Sequence, residues 1–426
     1  MTEQSTSKFA LIFIFLTMFI DTVGLGIIIP VIPQIIAELT GPYPTHAAAM
    51  SAAAAWGGWL QTAFAGMLFL FSPMIGNLSD RFGRKPILII ALVAFGIDNL
   101  ITGFAPTIAW LFVGRTLCGI AGASYTTANA FIADVSPPEK RAANFGLTGA
   151  AFGIGFVVGP AIGGFLGQYG ARLPFFVAAG LAFANALFGL IVMKESLPPE
   201  KRRVEPINSV RDLWRFMARA NPVGALKALR RYPGVFAFVG IMVLMRIAHD
   251  ANPVIWSYYV YLKFHWTTVQ LGYAMAFLGL VMAFVFGFPT RIAIPKLGEH
   301  RAAYIGLFAG AIGFAGYAFA SAGWMMYPWM LVWALMGLAM PSINAIISKH
   351  VPANEQGELQ GALSSIGGMT SVVAPVLLTS VFAWFTGVNA PVYFPGAAFL
   401  AAGLLLALAA ILLLRIEREP VAQAAE

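Results

Sequence analysis

The sequence predicts an all-α membrane protein, with twelve transmembrane helices arranged as two pseudo-symmetric six-helix bundles. Three observations carry that prediction: a composition too apolar for water, twelve apolar runs of bilayer length, and a repeat at half the chain length. Of the 426 residues, 59% are hydrophobic and only 10% are charged. The mean hydropathy is +0.79. A soluble domain carries roughly 45–50% apolar and about 25% charged residues. So little charge cannot coat a water-facing surface of this size, and the bilayer must solvate most of it.

A helix needs about 20 apolar residues to cross a bilayer. On that rule the first six spans fall at residues 9–39, 52–75, 86–104, 111–133, 142–166 and 174–193. The second six fall at 235–262, 269–289, 302–322, 327–348, 361–385 and 391–414. The first run is too long for a signal peptide's apolar region and lacks a small-residue cleavage site, so it reads as a span. The polar interval 195–232 divides an N-terminal bundle, 1–194, from a C-terminal bundle with a short tail, 233–426. Within that interval Arg211, Arg215 and Arg219 recur every four residues. A helix there would stack them toward an anionic leaflet, and a topogenic linker reads equally well.

Loop charge sets the orientation. The loops after spans one, three, nine and eleven hold no Lys or Arg, whereas the opposite side collects Arg81, Arg84, Lys85, Lys140, Arg141, Arg291, Lys296, Arg301 and Lys349 as well as the central interval's cations. Both termini and the central loop therefore read as cytoplasmic. Arg172 and Lys263 are the exceptions on the outer side. The net charge of +8 follows from this topology, not from nucleic-acid binding. The single cysteine, Cys118, allows no disulfide within the chain.

The halves repeat at a constant offset of 215 residues, which pairs Gly83 with Gly298, Gly122 with Gly337 and Asn129 with Asn344. The same offset sets VSPPEKRAANFG at 135–146 against HVPANEQGELQG at 350–361, and Val157-Val158-Gly159-Pro160 against Val372-Val373-Ala374-Pro375. A parallel repeat of this kind relates two bundles by an axis along the membrane normal.

The loop after span two reads Gly76-Asn-Leu-Ser-Asp80-Arg81-Phe-Gly83-Arg84-Lys85-Pro86. Its glycines permit a tight turn. Asp80 can cap or pair at this face, and Pro86 suits the start of a helix. Such a charge cluster can latch one state of a moving protein and release another. In span five, Gly149, Gly153, Gly155, Gly159, Gly163 and Gly164 strip a helix of side chains, which lets another helix approach closely. Pro160 loosens the backbone among them.

These residues carry a resemblance. The loop resembles the GxxSDRFGRRP hallmark of the major facilitator superfamily, with Lys85 for the last arginine. Residues 21–33, the Leu111–Gly119 segment with Arg115, and Gly149–Gly164 resemble the drug/proton antiporters, in particular the tetracycline-efflux family. The resemblance is close over residues 9–195 and looser over 235–414. It implies the major facilitator fold and a proton-coupled antiporter in a bacterial inner membrane, exporting drugs such as antibiotics. It further implies that the span-five motif seals the interface between the halves.

Ionisable groups inside a membrane are costly and mark pathways. Asp21, Asp98 and Arg115 lie in spans one, three and four. Arg246, His249 and Asp250 lie together in span seven, where the i, i+4 spacing of Arg246 and Asp250 allows a pair. Proton coupling needs a group that takes up a proton facing one side and releases it facing the other. Burial favours a protonated carboxyl and a nearby arginine favours the ionised one, so such a site can be set either way. Asp21 and Asp98 with Arg115 fit that requirement, and the resemblance assigns the matching residues to substrate and proton handling. Asp134, at the inner end of span four, reads as part of the cytoplasmic charge network.

The second half departs from the family. Gly310 stands where its ninth helix is acidic, and Val281 stands where some members carry an eighth-helix histidine. Arg246, His249 and Asp250 fall where its residues are mostly neutral. The transport class survives this departure, and whether tetracycline itself is the substrate is left open. Trp56, Trp59, Trp256, Tyr258, Tyr259 and Tyr261 are candidates to line a cavity or to anchor at the lipid interface.

The expected partners are a small-molecule substrate, protons and the lipid bilayer, with the chain working as a monomer. No resident cofactor or metal is expected; the sequence leaves open a divalent cation bound with the substrate. No GxxxxGK[ST] loop is present, which excludes ATP drive through one. No nucleophile–base constellation supports an enzyme. The alternative within transport is a proton-coupled carrier of a native metabolite or sugar.

Overall fold

The computed structural model describes residues 3–122, 124–202, 233–352 and 355–418. The Arg211, Arg215 and Arg219 face, with most of the central loop, lies outside the described residues. The first half runs through α1 (Glu3–Ile28), α2 (Ile32–Thr40), α3 (His46–Phe82), α4 (Arg84–Phe104), α5 (Ile108–Ala121), α6 (Ser124–Val135), α7 (Pro138–Gly167) and α8 (Leu173–Val192). The second comprises α9 (Pro233–Phe264), α10 (Thr268–Gly287), α11 (Pro289–Leu297), α12 (Glu299–Phe319), α13 (Met326–Ala334), α14 (Ala339–Lys349), α15 (Gln356–Thr386) and α16 (Ala397–Arg418).

Among the described residues ten helices are long and apolar enough to cross a membrane, and eleven if a bent pair counts as one. The protein is therefore a multi-pass membrane protein. The bent pair is α1 and α2, which meet at 47°. Pro30 and Pro33 at this junction each lack a backbone N–H, which interrupts the helical ladder. The expected fourth span is α5 with α6. At 14 residues α5 is too short to cross alone. The expected last span at 391–414 starts only at Ala397, because Pro391, Pro395 and Gly396 precede it.

The repeat is written into the backbone. Gly83 and Gly298, each preceding its helix, share a rare conformation at φ 104°, ψ 162° and φ 80°, ψ 159°. The helices that follow, α4 and α12, end on Ala105 and Ala320 with φ, ψ of −53°, 121° and −54°, 123°. Gly122 follows the end of α5, and its partner Gly337 lies in the 3₁₀ turn Leu335–Leu338 between α13 and α14. A stretch of 3₁₀ inside a crossing is a place where a helix can flex.

Two compact units emerge. One comprises Met1–Pro42, Ala63–Ala220 and Trp266–Gly279; the other comprises Tyr43–Thr62, Asn221–His265 and Leu280–Glu426. Part of α3 thus groups with the second half, and part of α10 with the first. In the first unit Ile14, Met18, Leu88, Phe131 and Ile132 form a buried cluster. In the second, buried aromatics fill the core: Trp256 and Tyr259 pack edge-on against Tyr317 and Phe399 with centroids 5.0 Å apart.

The two cations that break the loop-charge rule have structural work. Arg172 donates to the carbonyls of Gly103 and Ala105 at 3.1 and 3.0 Å and pairs with Glu38 at 2.8 Å. Lys263 donates to Ala318 at 3.1 Å. Gly103 and Ala318 are repeat partners, so each cation caps the C-terminal carbonyls of the equivalent helix, α4 or α12.

Candidate functional site

The loop cluster in the first unit is built around a break between helices. Gly76 and Asp80 lie inside α3, so the tight turn expected of the loop's glycines is made by Gly83 alone. Asp80 reaches across the break to Arg84 at 2.5 Å. Arg84 also meets Asp134 on α6 at 3.2 Å and donates to the Ser79 hydroxyl at 2.5 Å. The Ser196 hydroxyl donates to the same Asp134 oxygen at 3.1 Å. Arg81 stands outside this network, 5.4 Å over the Phe82 ring.

Sequence reasoning missed Glu195. Helix α4 opens on two cations, Arg84 and Lys85, at the positive end of its dipole. The Glu195 carboxylate answers them by accepting from the backbone N–H of Arg84 at 2.8 Å and of Lys85 at 3.2 Å. Lys85 Nζ returns the contact, donating to Leu190 and Met193 carbonyls at the end of α8 at 2.8 and 2.7 Å. The repeat inverts this chemistry. Where the first half has Arg84 and Asp134, the second has Glu299 and Lys349, paired at 2.7 Å. There the acid already sits at the helix N-terminus, and an outside carboxylate is not needed.

A Cβ on Gly83 would stand 2.2 Å from the Glu195 carboxylate, whereas one on Gly298 would meet nothing within 4 Å. Gly83→Ala and Gly298→Ala should therefore both suffer backbone strain of about 1–3 kcal/mol. Gly83→Ala should additionally lose the Glu195 cap, worth about 1 kcal/mol. Thermal melts of the two variants in detergent check this; equal losses would mean that the cap contributes nothing measurable.

The buried charges of the first unit gather at α4 and α5. Asp98 is fully buried and forms an ion pair with Arg115. The second Asp98 oxygen, Oδ1, meets no nitrogen or oxygen donor, and the Cys118 thiol is the weak donor beside the carboxyl. Gly114 makes room for it: a Cβ there would lie 2.4 Å from Oδ1. Arg115 lies 5.9 Å over the Phe64 ring. Asp21 on α1 is 8% exposed, and Cys118 is within electrostatic reach of both carboxylates. Asp21, Asp98 and Arg115 therefore share one neighbourhood.

Span five divides by face. Added Cβ atoms on Gly155, Gly159 and Gly163 would strike α1, at 2.7 Å from Thr22 Cβ, 2.7 Å from the Val23 carbonyl oxygen and 2.0 Å from the Ile27 carbonyl oxygen. On another face, Gly164 would meet the Thr268 carbonyl oxygen at 2.4 Å, while Gly272 would meet that of Pro160 at 2.6 Å. This second seam joins α7 to the N-terminal part of α10. Gly149 and Gly153 have nothing within 4 Å of such an atom, so close helix approach does not account for them.

In the second unit a cavity of about 400 Å³ opens beside α9. Arg246, His249, Asp250, Asn344 and Ser371 supply its polar groups. Met245, Met282, Met336, Met340, Phe286 and Trp333 supply its apolar wall. The expected Arg246–Asp250 pair does not form. Asp250 lies 3.9 Å from His249 instead. The Arg246 guanidinium extends to α15, where a Cβ on Gly367 would stand 3.1 Å from its Cζ and Nη1.

The aromatic residues singled out from the sequence lie elsewhere. Trp256, Tyr258, Tyr259 and Tyr261 are buried in the packed core, and Trp56 and Trp59 are exposed. At Gly310 a Cβ would stand 2.8 Å from Leu406 Cδ1 and 3.2 Å from Met336 Cβ, so the acid that the resemblance places there would require these side chains to shift.

Residues 14–375 match the family model of the Major Facilitator Superfamily. The chain is 34% identical over 377 residues to the tetracycline resistance protein, class C, of Escherichia coli, covering 88% of this chain and 90% of that protein. It is 32% identical over 368 residues to the class G protein of Vibrio anguillarum, covering 86% and 89%. Among solved structures, the nucleoside transporter NupG matches with a TM-score of 0.76 over 96% of this chain and 99% of that one. At 12% identity that likeness is one of fold. With the model spanning most of the sequence and a relative this similar over nearly its whole length, the chain belongs to the major facilitator superfamily and is a transporter, not an enzyme.

Proposed function

We propose that the protein is a proton-coupled secondary transporter that exports small organic compounds by alternating access, in the manner of a tetracycline-type antiporter. The observation that carries this reading is the buried Asp98–Arg115 pair with Asp21 in its neighbourhood. A carboxylate bound to arginine on one oxygen, with only the weak thiol donor of Cys118 beside it otherwise, can exchange a proton for a change of partner. In this reading α5 and α6 together complete twelve crossings in two six-helix bundles, 1–194 and 233–426, joined by the loop 195–232. Both termini face the cytoplasm of a bacterial inner membrane, and the chain works as a monomer. The Asp80–Arg84–Asp134 network latches the cytoplasmic ends, while the seam of α7 against α10 must part when the site opens outward.

The test is a drug-susceptibility panel in an efflux-deficient host, with and without a protonophore. Expression should raise tolerance to at least one compound, and the protonophore should abolish the gain. Flat responses throughout would turn the reading to its alternative, a proton-coupled carrier of a native metabolite or sugar.

A further inference from the structure

We propose that the second-unit cavity binds a flat aromatic organic anion, with its acidic group on Arg246 and its rings against Trp333 and Phe286. This inference rests on the reading of the chain as an exporter of small organic compounds, and it names their chemical class.

Arg246 is a cation that forms no ion pair among the described residues. Arg246 Nε is buried without a hydrogen-bond partner. A guanidinium carries five donors and is always charged. Leaving such a group without a counter-ion in an apolar setting is expensive, and stable proteins avoid it unless a ligand completes the pairing. The wall offers one carboxylate, Asp250, which makes no ion pair with Arg246 and lies 3.9 Å from His249 Nδ1. Trp333, which lines the same cavity, carries a second buried donor without a partner, Nε1. Asn344 and Ser371 on the same cavity can each donate or accept. Donors thus outnumber acceptors, and the missing partner is an acceptor-rich anion.

Shape and softness specify the rest. Gly367 lets the guanidinium lie against α15, because a Cβ would stand within 3.1 Å of it. That placement fixes the planar fork, which favours a planar, two-oxygen acceptor such as a carboxylate. The rest of the wall is four methionines, two aromatic rings, Gly337 and Pro341. Thioethers are polarisable and unbranched, so they conform to ring faces of different outline. The volume of about 400 Å³ accepts a drug-sized ring system. Trp333 already meets the His249 ring at a 33° tilt with centroids 5.8 Å apart, so a ligand ring would join an existing aromatic contact.

Equilibrium dialysis of the full-length protein in detergent tests the proposal with three probes of one shape: anthracene-carboxylate, anthracene-methanol and anthracene-methylamine. The carboxylate should bind at least about tenfold more tightly than the alcohol, and the amine more weakly than either. Arg246→Gln should bring the carboxylate down to the alcohol's affinity. Gly367→Ala keeps the charge but displaces the guanidinium, and it should weaken the carboxylate several-fold while sparing the alcohol. If the carboxylate binds no better than the alcohol, or keeps its advantage in Arg246→Gln, the proposal is overturned. Dialysis involves no proton gradient, so that failure would leave proton-coupled export to be judged by the susceptibility panel alone.

Discussion

Asp98→Asn is expected to abolish proton-coupled transport while the protein still reaches the membrane. The side chain keeps its size and an acceptor oxygen, so the space opposite Gly114 remains filled. It loses the ability to carry and release a proton. It also loses the charge that balances Arg115. Breaking one partner of a buried ion pair costs about 3–5 kcal/mol, because the other charge is left uncompensated. A loss of transport alone would therefore not separate coupling from folding. The double variant Asp98→Asn/Arg115→Gln does. Removing both charges should recover most of the thermal stability lost in the single variant, while substrate-driven proton flux in proteoliposomes stays at background. If the double variant regains flux along with stability, the pair is a structural strut and the coupling role assigned to Asp98 is wrong.

The sequence made the class of the protein legible because bilayer solvation leaves coarse marks: long apolar runs, cations on one side, and an offset of 215 residues that survives as paired backbone conformations at Gly83 and Gly298. Other features could be read only once the chain was folded. Glu195 looked like the first residue of a polar loop, and its bond to the backbone of Arg84 spans 111 positions. The exchange of Arg84–Asp134 for Glu299–Lys349 was present in the same offset, but a search for matching residues passes over matching pairs of opposite sign. The cavity aromatics were hidden for a different reason. In a bilayer, lipid-facing and cavity-facing positions are both apolar, so the periodicity that marks a core face in water carries little information. Trp333 and Phe286 are not separable from lipid-facing neighbours by that signal, whereas Trp256 and the span-seven tyrosines looked equally suitable and turned out to be core.

Gly163→Ala is expected to be among the most destabilising single substitutions in the membrane region. The added carbon would stand 2.0 Å from the Ile27 carbonyl oxygen and 2.6 Å from its carbon. Both are backbone atoms of α1, so no side-chain rotation relieves the clash and the helices must separate. Apolar association gives little drive between helices already in lipid, and close packing supplies the attraction instead. Overpacking of this kind costs about 1–3 kcal/mol, with the upper end apt where only backbone can yield. Gly149→Ala provides the control on the same helix. No atom beyond the adjoining backbone of its own helix lies within 4 Å of the new carbon. Alanine's better helix propensity, about 1 kcal/mol over glycine, should leave that variant as stable as the parent or slightly more so. Melting temperatures of the two purified variants decide the matter. Equal losses at both positions would mean that the span-five glycines serve the flexibility of α7 itself, and that the crossing with α1 does not set their identity. A large loss at Gly163 with none at Gly149 would assign the two ends of one motif to different physical tasks: a backbone seam toward Gly163, and a stretch toward Gly149 where a side chain has room.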